Sequence, residues 1–294
     1  MTKRVISVFL CVLCVISSIS FIVSAKENKE YTSDNFLSVA DGIIAWKKAD
    51  NGSEPEGYLI NDKYLENAGT TPGDWYPIAL GRLGIQDNNE GYLAVIKDRV
   101  EERYRESGRL SAAKATEWHR IALAVLAMGG DPTNFGTDEN GAPINLIADG
   151  TYDRGKTTPL GRQGINGWIW GLITLDSMRY AVPDGAYNTR DDIIVEIISK
   201  QLSDGGFALS SDDADPDITA MAITALAPYY NSEKIYSYHR KALSADESKT
   251  VHEVVDEAVL CLSRLQLDTG DYKSWGTQNV ESTDWVAVAL CSLN

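Results

Sequence analysis

Five ten-residue windows of this chain align without a gap. They are Asp74–Leu83 (DWYPIALGRL), Glu117–Leu126 (EWHRIALAVL), Asn166–Leu175 (NGWIWGLITL), Asp217–Leu226 (DITAMAITAL) and Asp284–Leu293 (DWVAVALCSL). An acid or amide opens each window, and a small residue stands sixth (Ala79, Ala122, Gly171, Ala222, Ala289). Leu or Ile stands seventh, and Leu closes every one. Each column has a physical reading. A carboxylate or amide in a first helical turn satisfies free backbone N–H groups and suits the positive end of the helix dipole. A small sixth residue lets a neighbouring helix come close, and positions seven and ten share one face. The last window also fits three residues earlier, from Glu281.

More amphipathic segments separate these windows, at about 35–50, 90–108, 142–149, 190–202 and 249–266. The order is amphipathic then apolar, five times over. That pattern predicts an all-α fold of helical hairpins, with apolar helices inside and half-exposed helices outside. A ring of hairpins is expected, with an open solenoid as the alternative. No stretch between 30 and 294 alternates apolar and polar residues far enough to predict a strand.

The ends and the composition narrow the function. Residues 1–25 read as a secretory signal, with an uncleaved membrane anchor as the alternative: Lys3 and Arg4, an apolar run, then Val23-Ser24-Ala25 as a cleavage site. Residues 26–34 read as a linker and 35–294 as one domain, which places the protein outside the cell or on its surface. With 27 Lys and Arg against 42 Asp and Glu, the net charge is −15, and losing Lys3 and Arg4 makes it more acidic still. Nucleic acid is therefore excluded as a partner, and so is an anionic membrane beyond the signal itself. Cys261 and Cys291 lie in apolar runs and read as core residues rather than a disulfide framework. The three histidines, His119, His239 and His252, have no zinc spacing, so no metal is expected.

Gln201–Phe207 (QLSDGGF) and Gln266–Tyr272 (QLDTGDY) share a second signature, Gln-x-x-x-Gly-x-aromatic. Glycine suits a left-handed helix stop, the aromatic can cover the turn, and the glutamine can hold helix-end carbonyls. With the alternating helices, this signature resembles the repeat of the prenyltransferase and terpenoid (squalene) cyclase superfamily, which usually has Trp where Phe207 and Tyr272 stand. The resemblance covers about 35–294 and is strongest over 195–294. It implies an α/α toroid, and secreted bacterial surface proteins are among the superfamily's members. Six hairpins close such a ring. Five are counted here before the chain stops at Asn294, so an open or truncated ring, or a further downstream domain, is expected.

The same resemblance frames the candidate site. Terpenoid cyclases of the protonating type carry Asp-x-Asp-Asp before Thr-Ala. Aligned on Thr219-Ala220, Asp215 and Asp217 take the first two acids and Ile218 the third, so these two are weak catalytic candidates. The vertebrate cobalamin carriers share the toroid. Asp217-x-Thr219-Ala220-Met221-Ala222 and Asn279-Val280-x-Ser282-Thr283 resemble two of their corrin-contacting segments, which implies a corrinoid as a candidate ligand. Read on residues alone, Pro216-Asp217 is a helix start with Asp217 as its cap. Asp213, Asp215 and Asp217 alternate like a calcium loop, but Ile218 stands where Gly and Thr224 where Glu would be needed. Tryptophans 75, 118, 168, 170 and 285 cluster at the starts of the apolar helices. A mouth lined by them suits a bulky apolar or amphipathic small molecule. The predicted ligand-binding set is Asp74, Trp75, Glu117, Trp118, Asn166, Trp168, Asp217, Asn279, Asp284 and Trp285. A ligand-binding surface module is the leading reading. A terpenoid-cyclase-like enzyme and a purely structural surface domain are the alternatives.

Overall fold

The computed structural model describes residues 33–154 and 158–293. The signal at 1–25 and nearly all of the linker lie outside the described residues. The described chain is mainly helical. It falls into two compact units, an N-unit (residues 33–162 with 177–187) and a C-unit (163–176 with 188–293). No described helix is long and apolar enough to cross a membrane.

The N-unit contains α1 (Ser33–Asn51), α2 (Asp62–Leu65), α3 (Thr71–Leu83), α4 (Asn89–Ser107), α5 (Ala115–Ala127) and α6 (Leu146–Gly150). Helix α4 buries Tyr92, Ile96, Val100 and Tyr104. Their spacing of four puts one stripe on the core and the charged residues in water. Helices α3 and α5 pack so tightly that a Cβ on Gly81 would lie 2.1 Å from the Ala127 carbonyl oxygen. The amphipathic helix expected over 142–149 is only the five residues of α6. Pro143 pairs with Thr137 in an isolated bridge, and the Asn145 side chain caps the helix by accepting from the Ala148 N–H.

The C-unit contains α7 (Ile165–Asp176), α8 (Arg190–Ile198), α9 (Pro216–Leu226), α10 (Val251–Leu265) and α11 (Val280–Ser292). Helix α9 is its centre and packs on α7, α10 and α11. Ala220, Ala222, Ala225 and Leu226 are buried there at 2% exposure or less. The expectation of Cys291 as a core residue is corrected: Cys261 is buried, but Cys291 is exposed.

The expectation of no strands is also corrected. Between α9 and α10 lies an antiparallel hairpin, β1 (Ile235–Arg240) with β2 (Ala245–Thr250), paired Ile235 to Thr250 and Arg240 to Ala245. Its inner face is Tyr236, Tyr238 and Arg240. Arg240 fixes the hairpin to the unit. Its guanidinium donates to the carbonyls of Gln201 and Leu202 and pairs with Glu247 and Glu257. A second, two-residue hairpin joins β3 (Lys273–Ser274) to β4 (Thr277–Gln278) just before α11.

Candidate functional site

The two Gln-x-x-x-Gly-x-aromatic stretches fold alike. In the first, the Leu202 N–H donates to the Gly206 carbonyl (2.8 Å) and the Gly205 N–H to the Leu202 carbonyl (3.0 Å). In the second, the Leu267 N–H donates to the Asp271 carbonyl (2.9 Å) and the Gly270 N–H to the Leu267 carbonyl (2.8 Å). Gly205 and Gly270 sit at φ +90° and +89°, where a side chain would be strained. The Gln201 amide donates to the carbonyls of Gly205 (2.8 Å) and Val254 (2.9 Å), and that of Gln266 to Gly270 (2.9 Å). The glutamine therefore closes its own turn, and in the first copy it also ties that turn to α10. Phe207 and Tyr272 are buried over the turns.

These turns fix how the following helices correspond. The Phe207 N–H donates to Thr219 Oγ1 (2.9 Å), and the Tyr272 N–H donates to Thr283 Oγ1 (3.2 Å). The Asp215 N–H donates to the Phe207 carbonyl (2.9 Å), and the Asn279 N–H to the Tyr272 carbonyl (3.3 Å). Thr219 is thus the structural counterpart of Thr283, Asp215 of Asn279, and Asp217 of Glu281. The register that starts the last window at Glu281 is the observed one, and Asp284 and Trp285 lie one turn further into α11.

The cap of α9 moves accordingly. Asp215, not Asp217, is the N-cap, and its Oδ1 accepts from the N–H groups of Asp217 (3.0 Å) and Ile218 (3.1 Å). Pro216 takes the first helical position, where a missing N–H costs nothing. Asn279 plays the same part in α11, accepting from the Ser282 N–H at 2.8 Å. The other oxygen of Asp215 accepts from the Ser274 hydroxyl, which ties β3 to the start of α9.

Released from capping, the half-buried Asp217 keeps one oxygen, Oδ1, buried and without a hydrogen-bond partner. Its pKa is raised. Burial is the main cause and the charges of Asp215 and Glu281 add to it, while the nearby Ser282 and Ser274 hydroxyls pull the other way. Trp285 follows Ser282 by one turn on the same face of α11. Its ring meets that of Trp170 from α7 edge to face, with centroids 5.8 Å apart and planes at 83°. Asp284 beside it is exposed, with a pKa raised by desolvation and by the Glu281 charge. The C-unit thus sets Asp217 among Ser274, Ser282 and Glu281, with Asn279 capping α11 beside Ser282, and pairs Trp285 with Trp170; Asp284 shares α11 with them. Trp168 lies apart from that pair, with the Lys200 ammonium 5.9 Å from its ring, and Asn166 is half-buried near the start of α7.

The N-unit candidates have other duties. Asp74 is fully buried and accepts from the Gly69 N–H (2.7 Å), the Tyr92 hydroxyl (2.8 Å) and Arg120 Nε (2.7 Å). Burial raises its pKa, and those three donors oppose the rise. Glu117 pairs with Arg103. Trp118, only 1% exposed, donates its indole N–H to the Tyr104 hydroxyl (2.8 Å), which donates in turn to Asp149 (2.7 Å). The Arg154 guanidinium lies 3.9 Å from the centroid of its ring. Next to it, His119 is buried with Nε2 bonded to the Gly150 carbonyl (2.7 Å), and burial pushes its pKa down to about 4. Trp75 is 40% exposed on α3.

Sequence reasoning missed Ser274 as part of the C-unit cluster. It lies on a two-residue strand, 59 positions from the aspartate that it holds, and no local pattern marks it. Among the described residues, no group of three His, Cys, Asp or Glu side chains is arranged to hold a metal ion. No protein-family model matches this sequence, and neither a curated protein nor a solved structure matches it.

Proposed function

We propose that the protein is a secreted or cell-surface module that binds a bulky apolar or amphipathic small molecule in its C-unit, against Trp170 and Trp285 and beside Asp217. The observation that carries this reading is the presence in one unit of a half-buried tryptophan pair, Trp170 with Trp285, and of a buried Asp217 oxygen that makes no hydrogen bond. An amide- or hydroxyl-bearing ligand would supply that donor, while the indoles hold its apolar body. A corrinoid, whose rim carries amides around a large flat body, fits this description. The helix pairs α8–α9 and α10–α11, each joined through the same glutamine-locked turn, support an α/α toroid as the arrangement of the hairpins.

A second reading rests on the raised pKa of Asp217. A raised carboxyl pKa is the direction a terpenoid-cyclase-like acid requires, and Asp217 aligns with the middle acid of that motif. Ile218 in the third place and an extracellular setting weigh against it, and a purely structural surface domain is the third reading.

Native mass spectrometry of the secreted protein, followed by titration with hydroxocobalamin, tests the binding reading. A co-purifying small molecule or a corrinoid spectral shift, lost in Trp285→Ala with the fold intact, is the expected result. A bare protein with no shift would overturn it.

A further inference from the structure

Helix α1 carries an apolar seam that its own unit leaves uncovered. Phe36, Val39, Ile43 and Trp46 follow a 3-4-3 spacing, so they lie along one side of the helix, and Leu37 flanks them. Their exposures are 62%, 57%, 51% and 62%, with Leu37 at 52%. The opposite side of α1 faces its unit. Asp41, Ile44 and Lys48 border a groove of about 420 Å³ with Pro55 and Ile85. The seam therefore points outward. A Cβ placed on Gly42, next to it, would meet nothing within 4 Å, so a second helix has a clear approach.

We infer that this seam is a docking surface for the α1 helix of a second copy of the chain. The area is the first argument. An aromatic side chain alone offers roughly 150–250 Å². At the exposures above, the five side chains leave on the order of 500 Å² open per copy. Two seams packed together bury on the order of 1,000 Å², where specific interfaces begin. The pattern is the second argument. Two-fold pairing of one seam with itself closes the assembly and leaves no seam open to a third copy. An antiparallel pair sets Phe36 against the partner's Trp46, and Val39 against the partner's Ile43. Charge decides against a lipid surface as the occupant. Helices that lie on membranes carry a basic polar face, whereas here Asp41 and Asp50 offset Lys47 and Lys48, and Lys47 is already paired with Asp50 (2.7 Å).

Sedimentation equilibrium of the purified secreted chain at tens of micromolar, with and without Ile43→Asp, tests the inference. The wild type is expected to weigh twice the chain mass and I43D to weigh once. Because Ile43 is exposed, both should share one far-UV circular dichroism spectrum, and I43D should still melt cooperatively, at a temperature that, unlike the wild type's, does not depend on protein concentration. Trp46→Ala, read in the same way, guards against an idiosyncratic effect of the aspartate. A monomeric wild type, or a dimer that persists in both variants, overturns the inference. So does co-sedimentation of a monomeric wild type with phosphatidylcholine vesicles, because the seam would then serve a lipid surface.

Discussion

The N-unit and the C-unit begin their apolar helices with the same kinds of residue and use them differently. In the N-unit the acids and the buried indole are held by protein partners. Asp74 collects three donors, Glu117 holds Arg103, and Trp118 is fixed between Tyr104 and Arg154. In the C-unit, capping falls to Asp215 and Asn279. Asp217 keeps an unsatisfied oxygen, and Trp285 stands edge to face with the Trp170 indole. An acid followed by an aromatic at a helix start is therefore no functional signature by itself. What matters is whether the neighbouring elements supply partners: Asp74 receives three donors, whereas one buried oxygen of Asp217 receives none.

The contrast breaks most visibly at the two aspartates. Asp74→Asn should destabilise the N-unit by about 4 kcal/mol, because it leaves the Arg120 charge and part of the donor set without a buried carboxylate. Asp217→Asn should change stability by less than about 1 kcal/mol, since it removes a desolvated charge that has few donors. Chemical denaturation of both variants checks the pair, and equal losses would erase the distinction.

The next effect is one of pH, and it has opposite signs at His119 and at Asp217. His119 has its pKa lowered from 6.5 to about 4 in the fold. Between those values the unfolded chain binds the proton more readily. Stability therefore falls by about 3 kcal/mol as pH drops from 6.5 to 4. Asp217 has a raised pKa, so its contribution is complete below the ordinary carboxylate range and declines as pH rises through the folded value. Hydrogen exchange by segment should show α5 and α6 loosening in acid. His119→Gln should flatten that response and leave the C-unit unchanged.

The smallest effect compares the two glutamine-locked turns. Gln201 is fully buried and bonds two carbonyls, while Gln266 is half-buried and bonds one. Gln201→Ala should cost about 2 kcal/mol and Gln266→Ala about 1 kcal/mol, following the number of carbonyls left unpaired. Thermal melts of both variants order them, and a reversed order would show that the tie from Gln201 to Val254 is not what matters.

Much of the secondary structure was legible in the sequence, because a helix declares itself through neighbours three and four residues apart. Four of the five apolar windows lie wholly in helices, the fifth all but its last residue, Leu293, and the stripe of α4 could be read directly. The hairpin β1–β2 could not. Tyr236, Tyr238 and Arg240 alternate inward, but an inward arginine hides the pattern, and β2 (ADESKT) has no apolar side to reveal it. The register of the last window was ambiguous for a related reason. A slip of three residues nearly preserves a helical face, and the Tyr272–Thr283 and Asn279–Tyr272 hydrogen bonds remove the ambiguity. The cap assignment at Asp217 missed by two residues, because several aspartates precede α9 and sequence alone cannot say which one faces the free N–H groups.

By itself, then, the sequence determined the helices, the two glycine turns and the buried aromatics over them. Each depends on backbone geometry and side chains within a few positions of one another. Only the tertiary structure decided which acid became a strut, which became a cap and which was left with an open oxygen. Those choices depend on donors such as Arg120 and Ser274, which arrive from 46 and 59 residues away. A carboxylate's role is set by the partners that packing delivers, and packing is a property of the assembled chain.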